Sequence, residues 1–217
     1  MQIPAFMGAP LALRSSDRGG APSGTEHVVP GFELVCQEQT NWCWAAVTQA
    51  VERLDHNPVE QADIATDHIA RSRPDEGCDV FDPADVEERA CAEASCDAHC
   101  NSPHSLTAIL NERGRLRENG GLGRISFSAL KAEIMAGRPV PCRIAWQTGG
   151  AHFVCVAGVS DGGAGKRFVH VYDPLFPGLA QGRADRLTMR FDTFRDGYAD
   201  RTGEKVLGEQ SHAYLVG

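Results

Sequence analysis

The chain has 217 residues, of which 42% are hydrophobic, with a formal net charge of −8 and a pI near 5.5. This is enough apolar material for one sizeable domain or two small ones, and the acidic balance excludes the basic footprint of a nucleic-acid binder. No apolar run approaches the ~20 residues of a membrane-spanning helix, so no membrane span is expected.

The opening Met1-Gln2-Ile3-Pro4-Ala5-Phe6-Met7 lacks the basic and long apolar regions of a Sec signal peptide. Ser15-Ser16-Asp17-Arg18-Gly19-Gly20-Ala21-Pro22-Ser23-Gly24 can bury little surface. Residues 1–28 therefore read as a flexible leader and 29–217 as the folded domain. Val29-Pro30-Gly31-Phe32 echoes the leader's Ile3-Pro4-Ala5-Phe6. Extended segments invite proteolysis, so self-trimming near these sites competes with simple packing of 29–32 as a first extended segment.

The first strong periodicity follows Asn41, a preferred N-cap residue, with Thr40 as its competitor. Cys43, Val47, Ala50, Val51 and Leu54 recur on one helix face, which predicts a largely buried helix with Cys43 in its first turn. Asn57-Pro58 with Glu60 predicts a second helix that buries Ile64 and Ile69. Asp82-Pro83 with Asp85 predicts a third, burying Val86 and Ala90. Ser102-Pro103 opens a fourth with Leu106, Ile109 and Leu110 inward and Gly114 as its stop. Ser126 or Ser128 opens a fifth that ends at Gly137. The period then changes: 140–146, 151–159, 167–173, 187–191 and 211–216 read as strands, joined by turns such as Asp161-Gly162-Gly163 that imply antiparallel neighbours. Helices first and strands later is an α+β pattern.

Chemistry concentrates in a few places. At a helix start, unpaired N–H groups and the helix dipole favour negative charge, and the reactive form of a thiol is its thiolate. Cys43 is thus a candidate nucleophile, although a buried structural cysteine would look the same in sequence. His152, in Gly149-Gly150-Ala151-His152-Phe153-Val154, lies at a strand start and is the candidate base. Asp173, in Val171-Tyr172-Asp173-Pro174, ends the next strand and is the candidate group that orients the base. Gln37, six residues before Cys43, is the candidate side-chain donor to an oxyanion, with Gln39 as its competitor.

The stretch Gln37-Glu38-Gln39-Thr40-Asn41-Trp42-Cys43-Trp44-Ala45-Ala46, followed far downstream by Gly-Gly-x-His-Phe-Val and Val-x-Asp-Pro, resembles the papain-like cysteine proteases of the bacterial avirulence-effector type. These are in turn related to the bacteriocin-processing peptidases. The resemblance runs from about residue 30 to the C-terminus by motif and order. It implies a papain-like α+β fold: a helical half carrying the nucleophile, an antiparallel sheet half carrying the base, and a cleft between. It implies Cys43, His152 and Asp173 as a triad, Gln37 in the oxyanion hole, and no cofactor. Papain itself has Asn where Asp173 stands; the resembling bacterial groups use Asp. The resemblance further implies a thiol protease, either an effector or a toxin, exported by a non-Sec route and acting on a protein of a target cell. It also raises a cognate inhibitor or immunity protein as a partner. Acyl transfer, deamidation and isopeptide cleavage use the same site chemistry and stay open. So does a non-enzymatic binding module held by disulfides or zinc.

Seven cysteines remain once Cys43 is set aside. Cys142 and Cys155 fall in predicted buried strands. Cys78, Cys91, Cys96 and Cys100 cluster in a loop-rich region beside His99, where two disulfides, free thiols or a structural zinc are all possible readings. The paired Cys-x-x-Cys of common zinc sites is missing, and the resembling proteins often carry cysteines here, which favours disulfides. His170 lies three residues from Asp173, on the opposite strand face by alternation. His212 reads as a packed strand residue, and His27, His56, His68 and His104 as surface groups. Trp42, Trp44 and Trp146 read as core or cleft aromatics, with Trp44 behind the nucleophile.

Overall fold

A computed structural model describes residues 24–72, 101–162, 165–177, 184–199 and 206–217. In chain order the elements are β1 (Glu26–Val28), α1 (Cys43–Leu54), α2 (Gln61–Ser72), α3 (Leu106–Glu112), β2 (Leu116–Leu122), α4 (Phe127–Met135), β3 (Val140–Trp146), β4 (Ala151–Asp161), β5 (Arg167–Pro177), β6 (Ala184–Arg190), α5 (Phe191–Asp196), β7 (Tyr198–Ala199) and β8 (Val206–Val216). The fold is α+β. The strands form one antiparallel eight-stranded sheet, ordered β2-β8-β3-β4-β5-β6, with β1 added to β4 and β7 to β8.

α1 explains the layout. Every residue from Cys43 to Glu52 is buried, so this helix has no solvent face over its first ten residues. It packs on α2, α3, β4 and β5. Its apolar residues join those of the sheet in one continuous core, where Trp42, Trp44, Val47, Ile64, Leu110, Val154 and Val171 are all essentially inaccessible. Its polar residues Thr48, Gln49 and Glu52 are buried too, each with a hydrogen-bond partner. Cys43, at the start of this interior helix, is held by packing as well as by its own backbone.

Several expectations are adjusted. The leader was placed at 1–28, but Glu26–Val28 pair with β4 and Val29 N–H donates to the Ala157 carbonyl, so the described folded part begins before residue 26. Val29 and Phe32 are buried, and Phe32 packs edge-on against Tyr172. The second helix begins at Gln61 rather than at Pro58, and still buries Ile64 and Ile69. α3 is capped by Ser105, not Ser102, because Ser105 Oγ is the acceptor for the Ala108 N–H. α4 starts after Ser126, whose Oγ accepts from the Ala129 N–H. Phe191 begins α5 instead of ending β6, and β8 starts at Val206, earlier than residue 211. β1, β2 and β7 are additional strands. The helix expected at Asp82-Pro83 and the cluster Cys78, Cys91, Cys96, Cys100 lie outside the described residues, as do residues 1–23. No described helix is long and apolar enough to cross a membrane.

Candidate active site

The segment from Cys36 to Trp42 is tied down before it reaches α1. Gln37 N–H donates to the Pro174 carbonyl (3.0 Å), one residue beyond Asp173, so the loop before Cys43 and β5 are joined directly. Gln61, at the start of α2, clamps the loop from the other side: its Nε2 donates to the Cys36 carbonyl (2.8 Å) and its Oε1 accepts from Glu38 N–H (3.0 Å). Trp42 N–H closes a turn on the Gln39 carbonyl (3.1 Å). Cys43 is then the first residue of α1, where backbone N–H groups have no intrahelical acceptor.

Asn41 does not cap the helix. Trp42 occupies the cap position without a side-chain cap bond, and Asn41 is spent on Asn101: its N–H donates to Asn101 Oδ1 (2.9 Å) and its Nδ2 to the Asn101 carbonyl (2.8 Å). A long-range contact has overridden a local preference.

His152, the candidate base, arrives through a tight turn. Gly149 and Gly150 both have positive φ (90° and 85°), a region that L-residues other than glycine avoid. The turn closes through Gly149 N–H to the Trp146 carbonyl (3.1 Å) and Trp146 N–H to the Gly150 carbonyl (3.2 Å). It returns the chain along β3 so that His152 pairs with Ile144. Trp146 stacks on the imidazole with ring centroids 5.6 Å apart and planes 9° apart. That fixes the ring plane and excludes water from one face.

His152 links the other two groups. Its Nε2 lies 2.6 Å from Asp173 Oδ1, and the imidazole also hydrogen-bonds the Cys43 thiol. With Nε2 occupied by the carboxylate, Nδ1 is the nitrogen left for sulfur. All three are buried: Cys43 is 8% exposed, His152 3% and Asp173 1%. Burial alone would push the imidazole toward neutrality, but the Asp173 carboxylate and then Cys43 reverse this and hold its pKa up at about 10. Burial likewise works to raise Asp173, yet His152, the Tyr198 hydroxyl and the Leu175 N–H keep it below the usual carboxylate value. Tyr198 O–H donates to Asp173 Oδ2 (2.6 Å) and Leu175 N–H to Oδ1 (3.0 Å), so both carboxylate oxygens are satisfied.

Cys43, His152 and Asp173 are thus brought together from α1, β4 and β5. Gln37 is adjacent and 2% exposed, but its amide is engaged inside the loop: Nε2 donates to the carbonyls of Gln39 (2.8 Å) and Thr40 (2.7 Å). In this state it shapes the turn that presents Cys43. Gln39, also buried, contributes its carbonyl to the same turn. His170 stands apart from the triad, with Nδ1 2.9 Å from Thr188 Oγ1 and Nε2 2.9 Å from Glu26. His212, expected to be packed, is exposed. His68, expected at the surface, is buried beneath Trp44, with Nδ1 2.8 Å from Glu112 Oε2 and Nε2 3.1 Å from His104 Nδ1. Cys142 and Cys155 are fully buried free thiols whose pKa values burial pushes well up, in keeping with core residues. Cys36 is buried as well. No group of three or more His, Cys, Asp or Glu suited to a metal occurs among the described residues.

Sequence reasoning missed Tyr198, Gln61 and Asn101. Tyr198 follows Asp196-Gly197 in a two-residue strand that carries no periodicity, and Asn101 follows a cysteine-rich stretch with no recognisable signal. No protein-family model matches the chain, and no curated protein matches it.

Proposed function

We propose that the chain is a cysteine endopeptidase of the papain-like kind, with Cys43 as nucleophile, His152 as general base and acid, and Asp173 as the orienting carboxylate. The observation that carries this reading is the single buried imidazole bonded on one side to a carboxylate and on the other to a thiol at a helix start. A structural core cysteine has no use for such a partner, and Cys142 and Cys155 have none.

In the proposed reaction the Cys43 sulfur, its proton transferred to His152 Nδ1, attacks the carbonyl carbon of a peptide bond. The Cys43 N–H, in the first turn of α1, stabilises the oxyanion. Gln37 would add a second donor by giving up its bond to Gln39 or Thr40. His152 Nδ1 then gives its proton to the departing amine as the C–N bond breaks and a thioester remains. A water molecule, deprotonated by His152, attacks the thioester, and the sulfur leaves as thiolate. Asp173 stays ionised throughout and keeps Nε2–H in place. The resemblance of the Gln37–Ala46 and Gly149–Val154 stretches to effector proteases supports an exported bacterial effector that cuts a target-cell protein.

The test compares new protein termini generated in a target-cell extract by the wild type and by Cys43→Ala. New N-termini that appear only with the wild type are expected. Modified glutamines or transferred acyl groups without new termini would instead assign the same thioester chemistry to deamidation or acyl transfer.

A further inference from the structure

We infer that Asn101 is a positioning residue for Cys43, acting through the turn that precedes the nucleophile; the inference rests on the triad reading above. The cap position of α1, Trp42, makes no side-chain cap bond to the first turn. The turn is instead gripped from a segment sixty residues away. Asn101 Oδ1 accepts from Asn41 N–H (2.9 Å), the Asn101 carbonyl accepts from Asn41 Nδ2 (2.8 Å), and Asn101 Nδ2 donates to Thr40 Oγ1 (2.7 Å). The next residue holds the far side of the nucleophile, because Trp44 Nε1 donates to the Ser102 carbonyl (3.0 Å). Residues 101 and 102 therefore bracket Cys43 on both sides.

The bracket is itself anchored. Ser102 Oγ bonds His104 Nε2 (2.9 Å), His104 Nδ1 bonds His68 Nε2 (3.1 Å), and His68 Nδ1 bonds Glu112 Oε2 (2.8 Å). Trp44 packs on both imidazoles, with centroids 5.8 Å and 5.0 Å away. The segment is thus fastened to α2 through His68 and to α3 through Glu112, and Asn101 ties it to the loop before Cys43. Misplacing a reacting atom by about 1 Å can cost on the order of 100-fold in rate, so a side chain that sets the height and tilt of the Cys43 turn acts on turnover without touching substrate.

The experiment compares Asn101→Ala, Asn101→Asp and Thr40→Val with the wild type. Three readouts are taken: thermal unfolding, the pH profile of Cys43 alkylation by iodoacetamide, and kcat against KM on a peptide substrate. Asn101→Ala is expected to slow alkylation and lower kcat by about 10-fold or more, with KM within about 2-fold, since only nucleophile placement changes. Asn101→Asp keeps the acceptor for Asn41 N–H, and Thr40 Oγ1 can donate to it, so kcat is expected to recover in part. Its added negative charge near Cys43 is expected to shift the alkylation profile to higher pH. Thr40→Val, which removes a single bond at an exposed residue, is expected to give a smaller change in the same direction and covers the case in which Asn101→Ala does not fold. Alkylation and kcat unchanged in the folded Asn101→Ala protein, or in Thr40→Val if only that variant folds, overturns the inference. So does a loss matched by the fraction unfolded. Alkylation reads the thiol whether or not peptides are cut, so failure of the protease reading is seen separately as a wild type that alkylates at Cys43 yet hydrolyses no peptide.

Discussion

His152 is held charged against its own burial, and this decides how the site responds to pH. Asp173 and Cys43 are what keep its pKa at about 10. In Asp173→Asn the charge and its attraction go, while burial, which favours the neutral ring, stays. The alkaline limb of the pH–rate profile is therefore expected to move to lower pH, and kcat to fall by roughly 100-fold or more, as for orienting carboxylates in other triads. An alkaline limb that does not move would remove Asp173 from the site. Tyr198→Phe is a finer probe. It leaves Asp173 Oδ2, in a residue 1% exposed, without its donor, a loss of about 1–3 kcal/mol when a buried acceptor goes unsatisfied. Tyr198 also keeps Asp173 below its usual pKa. We expect Tyr198→Phe to lower kcat by about 10-fold and to raise the pH of the acid limb, with a near-normal circular dichroism spectrum. A kinetic profile identical to wild type would make Tyr198 a core residue only. Alkylation should reach Cys43 ahead of the other described thiols, because Cys36, Cys142 and Cys155 are 0% exposed whereas Cys43 is 8% exposed beside its imidazole; peptide mapping after brief treatment checks this.

At the scale of elements, the nucleophile helix is pinned at both ends, at its start by the loop contacts and near its end by Glu52. Glu52 is 1% exposed and takes bonds from Arg113 Nε (2.7 Å), Arg115 Nε (3.0 Å) and Nη2 (2.8 Å), and Asn57 Nδ2 (2.7 Å). Burial pulls its pKa upward, but the Arg115, Asn57 and Arg113 bonds win and lower it. Breaking a buried pair by neutralising one partner costs about 3 kcal/mol, so Glu52→Gln should lower Tm by roughly 6–12 °C at neutral pH. A carboxylate with a depressed pKa stabilises above its unfolded value, here near 4.5, and loses that contribution on acidification. The Tm gap between wild type and Glu52→Gln should therefore close below that pH. A gap that is the same at pH 7 and pH 3.5 would show that packing, not charge, is responsible. The same elements show what could be read from sequence. α1, α4 and β3–β5 were legible because hydrophobic period and glycine stops report directly on burial, and Ile64, Ile69, Leu106 and Leu110 fell inward as expected. The meeting of Cys43, His152 and Asp173 was anticipated because a cysteine at a helix start and a histidine at a strand start leave local marks. What stayed hidden was mostly long-range, as where Asn41 trades its cap for Asn101 and Trp44 covers His68, while Gln37 spends its amide inside its own irregular turn on Gln39 and Thr40. None of these partners lies on the periodic pattern of its own segment.

Across the whole molecule the titrating groups favour a mildly acidic optimum of stability. The carboxylates with depressed pKa, Glu52, Glu133 and Asp173, contribute fully above their unfolded values of 4.5, 4.5 and 3.8 and lose that contribution as pH falls on through their lower folded-state values. His152 works in the opposite sense: its raised pKa stabilises fully below its unfolded value of 6.5 and is lost as pH rises toward about 10. Glu38 adds to the alkaline loss. Burial, reinforced by Glu60 and Asp63 against the partial relief of Arg53, raises its pKa from 4.5 to about 7. Between those values the folded protein holds a proton that the unfolded chain releases, so stability falls with rising pH through that window and the penalty is complete above it. Self-repulsion is also least near the pI of about 5.5. These contributions together place the maximum of Tm near pH 5, with a gradual decline through pH 7 to 10 and a steeper one below pH 4. Glu38→Gln isolates one of them. Neutralising that side chain removes the burial and repulsion cost where it is charged in the native state, so Tm should rise at pH 8 and stay unchanged at pH 4. A Tm increase of equal size at both pH values would mean that the substitution improves packing instead, and a decrease at pH 8 would show that the charged Glu38 has a stabilising partner in the native state.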